Sequence, residues 1–108
     1  MEVGVDIEEV GRFKESYKDD HFIRLIFTDR EIDYCNKKKE PYISFAGKFC
    51  AKEAVVKAYD QKLTMKEIEV INDSSGKVKI FIKGQEDDMI KCSISHTKDY
   101  AVSFVVVK

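Results

Sequence analysis

The spacing of apolar residues changes along the chain from strand-like to helical and back to strand-like, and this order restricts the fold more than any other sequence feature. Apolar residues alternate with Gly4 and Asp6 over residues 3–7, which predicts a short strand. Helical spacing then dominates residues 8–59, and strand-like segments complete the chain. Those later strands are predicted at residues 68–71, 78–83, 91–95 and 101–107. A strand, a block of helices and a run of strands predict an α+β fold with a mostly antiparallel sheet, and not a doubly wound parallel sheet.

The helical block divides into several predicted helices, and the last of them is long and central. Thr28 and Glu31 have the spacing of a capping box, in which the threonine caps a helix and the glutamate reaches back. Pro41 suits the first turn of the long helix. That helix has a broad apolar face with small residues, which allow it to pack closely against a sheet. The predicted helices are Glu8–Tyr17, His21–Phe27, Asp29 to about Lys37, and Tyr42–Tyr59.

Length, charge and cysteine content exclude several classes of protein. With 108 residues, 44% of them hydrophobic, the chain predicts a single domain, residues 1–108, with a core of its own. Its 19 basic and 20 acidic residues nearly cancel, which argues against a nucleic-acid binder. No apolar run approaches the roughly 20 residues of a membrane helix, and no signal peptide is visible. The 3 cysteines cannot all pair and fit no zinc pattern, so we expect reduced thiols in a cytoplasmic protein without a membrane partner.

Two acidic residues are candidates for chemistry. Asp6 lies near the end of the first predicted strand, where burying a carboxylate is costly unless it is paired, capping or bound to metal. Capping of the following helix is the alternative role for Asp6. Glu53 and Lys57 share a face of the long helix, which also carries Lys48 and Lys52. Taken alone, that spacing favours a solvent-exposed ion pair, which contributes little to stability.

Two further groups of polar residues are candidates for binding. Ser95 and His96 stand at the end of a predicted strand before a tight turn, where they could contact phosphate or transfer a proton, or simply stabilise the turn. The first two helices carry basic residues that could meet an acidic partner if they share one face, or else form an ordinary charged surface. These basic residues are Arg12, Lys14, Lys18, His21 and Arg24.

Four segments, taken together and in order, resemble the holo-acyl-carrier-protein synthases. They correspond to that family's opening motif, its central helix, a hairpin and its final hairpin. The segments are Gly4-Val5-Asp6-Ile7 with Arg12-Phe13, then Phe45–Ala58 with its Lys52-Glu53-Ala54 and Lys57-Ala58, then Ile68–Asp73 with Gly76-Lys77, and finally Ser93–Val102. The resemblance covers nearly the whole chain, and four collinear motifs make it specific.

The resemblance implies a 4'-phosphopantetheinyl transferase. Such an enzyme moves the phosphopantetheine arm of coenzyme A to a serine of an acyl carrier protein and releases adenosine 3',5'-bisphosphate. The family also implies a compact α+β fold, with a mostly antiparallel sheet packed on the long central helix. Its members form homotrimers with active sites between subunits, in keeping with a short chain that supplies only part of a coenzyme A cleft.

The resemblance also assigns roles to the candidate residues. Asp6 and Glu53 are expected to hold a divalent ion, magnesium by default, because oxygen ligands and a pyrophosphate substrate suit a hard cation. Lys57 is expected to stabilise charge on phosphate, and Glu53 or a water on the metal is the expected proton acceptor. Contacts to coenzyme A are expected from Lys48, Lys57, Ser95 and His96. Arg12 is expected to meet the acidic carrier, helped by Lys14, Lys18, His21 and Arg24.

The chain departs from the family pattern after the central helix. Residues 58–65 contain no glycine, where the family has a glycine-rich loop. Asp19 and Asp20 also lie among the basic residues of the first helices. These departures motivate a rival hypothesis, in which the chain is a non-catalytic module that binds a carrier protein or coenzyme A.

Overall fold

A computed structural model describes residues 1–108 and contains six strands and four α-helices. Short 3₁₀ turns at Val10–Arg12 and Met65–Glu67 complete the regular structure. The helices are α1 (Phe13–Ser16), α2 (Asp20–Ile26), α3 (Asp29–Asn36) and α4 (Pro41–Ala58). The strands are β1 (Glu2–Glu9), β2 (Ile68–Asn72), β3 (Val78–Ile82), β4 (Gln85–Glu86), β5 (Ile90–His96) and β6 (Tyr100–Val107). The predicted α+β order is confirmed, and no helix combines the length and apolar character that crossing a membrane requires.

The strands form two antiparallel sheets, not one. One sheet has the order β1-β6-β5 and the other β2-β3-β4. Strand β3 packs beside β5 without a hydrogen-bonded ladder between them. In the first sheet, Asp6 is directly opposite Ser103 of β6. The short β4 follows a turn in which Lys83 and Gly84 both have positive φ, and the sequence pattern did not predict it.

Helix α4 runs through the middle of the molecule, and 10 of its 18 residues are buried. One apolar cluster joins α4 to the two sheets, and a second joins it to the shorter helices. In the second cluster, the rings of Phe27 and Phe45 lie 4.9 Å apart. The helix begins at Pro41, one residue before the predicted start, and small residues such as Ala51 and Ala54 are fully buried where neighbouring elements approach.

Gly4 lets β1 lie directly against α4. A Cβ atom at this position would overlap the carbonyl oxygen of Ala54 and would also press on the side chain of Ala58. The strand can therefore approach the helix only because Gly4 has no side chain. This close approach brings the inward-facing residues of β1 to the last two turns of α4.

The first predicted helix begins later than expected. Residues Glu8 and Glu9 belong to β1, and helical structure starts at Val10. The ladder with β6 continues to the pair Glu9–Tyr100, and the amide of Val10 then donates to the carbonyl oxygen of Asp99 at 2.9 Å. Pairing with β6 therefore overrides the local helical spacing. Because Asp6 lies within this ladder, its alternative role as a helix cap is excluded.

The helices after this point agree closely with prediction. Helix α2 begins and ends within one residue of the predicted bounds. The capping box is complete: Thr28 accepts from the amide of Glu31, and the Glu31 carboxylate accepts from the amide of Thr28 at 2.9 Å. All three cysteines are free thiols; Cys35 and Cys50 are buried, and Cys92 is partly exposed.

Candidate active site

Asp6 and Lys57 meet where β1 crosses the end of α4. The ammonium of Lys57 donates to Asp6 Oδ1 at 3.1 Å and to the carbonyl oxygen of Val5 at 2.9 Å. The Asp6 side chain is only 11% exposed, whereas that of Lys57 is 52% exposed. The other carboxylate oxygen, Asp6 Oδ2, is buried and has no hydrogen-bond partner. An anionic oxygen without a partner is costly to bury, so this atom is a candidate ligand for a cation.

Two more carboxylates lie close enough to feel the charge of Asp6. Burial raises the pKa of Glu53, and the neighbouring Asp6 adds to the effect, while Lys57 opposes it. Burial also raises the pKa of Glu8, and together with the adjoining Asp6 carboxylate brings that pKa to about 7. Three acids therefore share one small region, in which their mutual repulsion is only partly offset by Lys57 and by Arg12, 3.6 Å from Glu8.

Glu8 is the site residue that sequence reasoning missed. It was assigned to a helix, in which it would not have faced the same way as Asp6. In the strand, residues two apart point to the same side, so Gly4, Asp6 and Glu8 all face α4. The signal was the alternation of residues 4, 6 and 8, which continues past the predicted end of the strand.

Lys48 is buried, and its ammonium is fully engaged within the subunit. It donates to the carbonyl oxygen of Val70 at 2.7 Å and to Asn72 Oδ1 at 2.8 Å, and it lies 4.3 Å from the centre of the Tyr34 ring. Burial lowers its pKa. The solvent-exposed pair that the helical spacing favoured, Glu53 with Lys57, does not form, because Lys57 pairs with Asp6. The predicted contact of Lys48 with coenzyme A would require these bonds to be exchanged, and it stays a prediction.

Ser95 and His96 point to opposite sides of β5. His96 lines a cleft of about 520 Å³ together with Lys14 and Lys98, and a smaller one of about 250 Å³ that also contains Lys48. Ser95 lines neither cleft; it stands opposite Val102 on the outer face of the sheet. His96 and Lys14 are thus placed to contact an anion in the larger cleft, whereas Ser95 is not placed to do so within this subunit.

The basic residues of the first helices do not act as one uncompensated face. Arg12 pairs with Glu8, and Arg24 pairs with Asp20 at 2.8 Å. Lys14 turns toward the His96 cleft and lies 5.5 Å from the centre of the Tyr42 ring. Lys18 and His21 are exposed, and Asp19 is occupied by capping α2. Their predicted role in binding a carrier stays a prediction.

Comparison with known proteins decides the family. Residues 2–105 match the model of the 4'-phosphopantetheinyl transferase superfamily. This chain belongs to that superfamily. A holo-[acyl-carrier-protein] synthase of Chloroherpeton thalassium is 37% identical, with coverage of 100% of this chain and 98% of that protein. The corresponding synthase of Thermodesulfovibrio yellowstonii is 43% identical over 97% of this chain and 96% of that protein.

Solved structures of 4'-phosphopantetheinyl transferases share the fold. A holo-(acyl-carrier-protein) synthase from Bacillus anthracis, crystallised in complex with CoA (3',5'-ADP), superposes with a TM-score of 0.82 and 32% identity, covering 98% of this chain and 94% of that one. A synthase from Helicobacter pylori in complex with coenzyme A gives a TM-score of 0.81 and 25% identity, with coverage of 98% and 99%. The family and fold class that the four motifs indicated are therefore confirmed.

The acids of this transferase fit a hard divalent ion. Asp6 offers one buried oxygen without a partner, and the pKa values of Glu8 and Glu53 are raised by burial and by nearby negative charge. A cation would relieve that repulsion. The side chains include no group of three or more His, Cys, Asp or Glu arranged to hold an ion. Mg²⁺ commonly binds through one or two carboxylates and completes its shell with waters and substrate phosphates, which is compatible with such a set.

Proposed function

We propose that this chain is a holo-[acyl-carrier-protein] synthase that transfers the 4'-phosphopantetheine group of coenzyme A to a serine of an apo-acyl carrier protein. The observation that carries the proposal is the meeting of Asp6, Glu53 and Lys57 at the crossing of β1 and α4. Membership of the transferase superfamily, and full-length relatives that bear this name, support the same conclusion.

The reaction exchanges one phosphorus–oxygen bond for another. The serine oxygen attacks the phosphorus that carries the pantetheine arm and gives up its proton. The bond from that phosphorus to the bridging pyrophosphate oxygen breaks, and the electron pair leaves with adenosine 3',5'-bisphosphate. Negative charge therefore grows on phosphate oxygens and on the leaving group, and a catalyst must stabilise it.

The chain's own residues divide this task. Asp6 and Glu53 would hold magnesium, and Glu8 lies close enough to join them or to orient Asp6. The bound ion would supply neutralisation of the pyrophosphate charge. Lys57, whose side chain is half exposed, can exchange its contact with Asp6 for a phosphate oxygen. Its position one turn after Glu53 keeps that positive charge beside the acids.

The larger cleft is the proposed site for coenzyme A phosphates. Lys14, His96 and Lys98 line it and supply donors for anionic oxygens, and the acids Glu40 and Asp99 also line it. The cleft is open, in keeping with a site that a neighbouring subunit completes. Ser95, which faces away from the cleft, would meet coenzyme A only where a second subunit packs against the outer face of the sheet.

We also propose a homotrimer, in which the outer face of the first sheet contacts other copies of this chain. This face carries neighbouring apolar side chains on the paired strands β1 and β6, and several are more than half exposed. Val5 is 55% exposed beside Phe104, which is 49% exposed, and Ile7 is 63% exposed beside Val102. An apolar patch of this kind marks an interface. Because Asp6 lies on the same strand, an interface here would adjoin the active site.

The acyl carrier protein is the proposed macromolecular partner. Exposed Lys18 and His21 on and before α2 could steer its acidic surface, whereas Arg24 would first have to leave Asp20. We place the reaction in the cytoplasm, where three free thiols would stay reduced.

The proposed function is tested by following coenzyme A in the presence of magnesium and apo-acyl carrier proteins from several bacteria. Chromatography should show adenosine 3',5'-bisphosphate accumulating only when protein, magnesium and an apo-carrier are all present. Binding of coenzyme A without any such product would instead support the non-catalytic module suggested by the loop after α4, which lacks glycine.

A further inference from the structure

A second ionic pair, between α3 and α4, is completely buried. Lys52 Nζ lies 2.7 Å from Glu31 Oε1, and neither side chain has any exposed surface. The same ammonium donates to three backbone carbonyl oxygens, those of Ile26 at 2.9 Å, Met65 at 2.8 Å and Ile68 at 2.6 Å. It therefore contacts the end of α2, the second 3₁₀ turn and the start of β2 at once.

Glu31 extends this network from the other side. Its Oε1 accepts from the amide of Thr28 at 2.9 Å, and its Oε2 accepts from the amide of Val70 at 2.7 Å. Every oxygen of the carboxylate is thus satisfied, as a buried charge requires. Through this one pair, α2, α3 and β2 are all tied to a single position on α4.

The hydrophobic effect alone leaves the rotation of α4 weakly specified. The helix is buried on nearly every side in its central turns, where Phe45–Lys48, Cys50–Lys52, Ala54 and Val55 are all buried. A helix that is apolar on nearly every side has no polar face to set its rotation, so specific contacts, such as that of Gly4 with Ala54 and any buried polar pair, must set it. Buried polar pairs are one means of fixing register in such a core, because a wrong rotation would leave the charges unpaired.

Lys52 directly precedes Glu53 on α4, so a contact that fixes the position of Lys52 around the helix axis also fixes that of Glu53. Successive residues on an α-helix are separated by about 100° around the axis. Lys52 faces α2, α3 and β2, while Lys57, one turn after Glu53 on the same face, contacts Val5 and Asp6 and so shows that the face of Glu53 is turned toward β1. We propose that Glu31 and Lys52 are a positioning pair: they set the rotation of α4 that aims Glu53 at Asp6, and they hold α2 in register with the same helix. This inference rests on the proposed function.

The test replaces the pair by apolar residues of similar size, in the double variant Glu31→Leu with Lys52→Met. The double variant removes the buried charges together, but it also leaves the backbone amides and carbonyl oxygens that they bind without these partners, so its melting temperature should fall. Transfer is therefore measured below that temperature, where circular dichroism shows the variant folded. Because the Glu53 side chain would no longer be held in position beside Asp6, kcat for transfer should fall at least about tenfold. Mn²⁺ binding is followed by electron paramagnetic resonance with coenzyme A present. The Mn²⁺ concentration at half saturation, called the Mn²⁺ midpoint below, should rise by a similar factor.

Arg30→Met is the matched control. It removes an ion pair between α3 and β2, formed with Glu69 at 2.6 Å, which does not involve α4. Its kcat and Mn²⁺ midpoint should stay within about twofold of wild type. A folded double variant whose kcat and Mn²⁺ midpoint also match wild type would overturn the positioning role.

Two further outcomes of this experiment, an unfolded double variant and an inactive wild type, also test the positioning role. If the double variant does not fold, Glu31→Gln replaces it, because the amide keeps the acceptor for Val70 and removes the charge. Reduced kcat with unchanged KM for coenzyme A then supports the inference, and unchanged kcat overturns it. If wild type transfers to no carrier, the proposed function fails, and the Mn²⁺ midpoints alone decide whether the pair positions Glu53.

Discussion

Lys57 Nζ lies 3.1 Å from Asp6 Oδ1, while Asp6 Oδ2 remains buried without a partner. One oxygen of the carboxylate is therefore held by the ammonium of Lys57, and the other is the oxygen that would bind the proposed divalent ion. The contact also ties the last turn of α4 to β1, the strand that carries the acid.

Asp6→Asn should lower the rate of transfer by roughly 100-fold or more, because it removes the charge of a proposed metal ligand. Its melting temperature should change little. The lost pair with Lys57 is half exposed and stabilises by no more than about 1 kcal/mol, and the repulsion of Glu8 and Glu53 is relieved. Glu2→Gln, an exposed acid on the same strand, is the control. Full activity in Asp6→Asn, measured by product chromatography, would contradict the assigned role.

Gly4→Ala should destabilise the fold by about 2 kcal/mol, as expected for an overpacked core position. The added Cβ would meet the backbone of α4, which cannot turn aside as a flexible side chain could. Gly11→Ala is the matched control, because no atom lies within 4 Å of a Cβ built there. Denaturant unfolding measures both variants. Equal stability of the two would show that β1 does not need its close approach to α4.

Val5→Glu should convert the proposed homotrimer into monomers and abolish transfer. A charge in the middle of the exposed apolar face cannot be buried between subunits without a partner. Met89→Glu, a change at another half-exposed apolar residue outside this face, should leave the mass unchanged. Light scattering gives the mass of each variant. A trimer that persists in Val5→Glu would place the subunit contact elsewhere.

Acid should weaken the fold partly through Glu69. Burial would raise the pKa of Glu69, but hydrogen bonds from Arg30 and Thr28 and the charge of Arg30 outweigh it and hold that pKa below the ordinary 4.5. A carboxylate with a lowered pKa stabilises the folded state above its unfolded pKa, and this contribution is lost as pH falls through the folded value. Between about pH 5 and about pH 3, wild type should therefore lose more unfolding free energy than Glu69→Gln. Parallel losses in denaturant titrations of the two proteins would contradict this.

The sequence predicted the order of elements because local signals decide it. The capping box at Thr28 and the proline at the start of α4 act within one turn of helix, and both are seen as predicted. The four motifs likewise identified the family. Pairing between distant strands has no local signal, so the extension of β1 to Glu9, the small β4 and the division into two sheets were not foreseen.

The site was predicted less completely than the fold. Alternation in β1 placed Asp6 opposite the valines, but it could not say that the valines would be exposed and the acid covered. Helical spacing grouped Lys48 and Lys52 with a charged surface, although both ammonium groups are buried against backbone carbonyl oxygens. Those acceptors come from residues 13 to 26 positions away in the chain, and only the tertiary structure reveals them.

The central claim is that the chain attaches phosphopantetheine to a carrier serine, and the intact mass of the carrier tests it most directly. An apo-acyl carrier protein would be incubated with coenzyme A, magnesium and the protein, alongside a carrier whose acceptor serine is replaced by alanine. We predict that the mass of the first carrier increases by one phosphopantetheine group and that the mass of the second does not change. No increase with any of several apo-carriers, under conditions in which the protein is folded, would contradict the account.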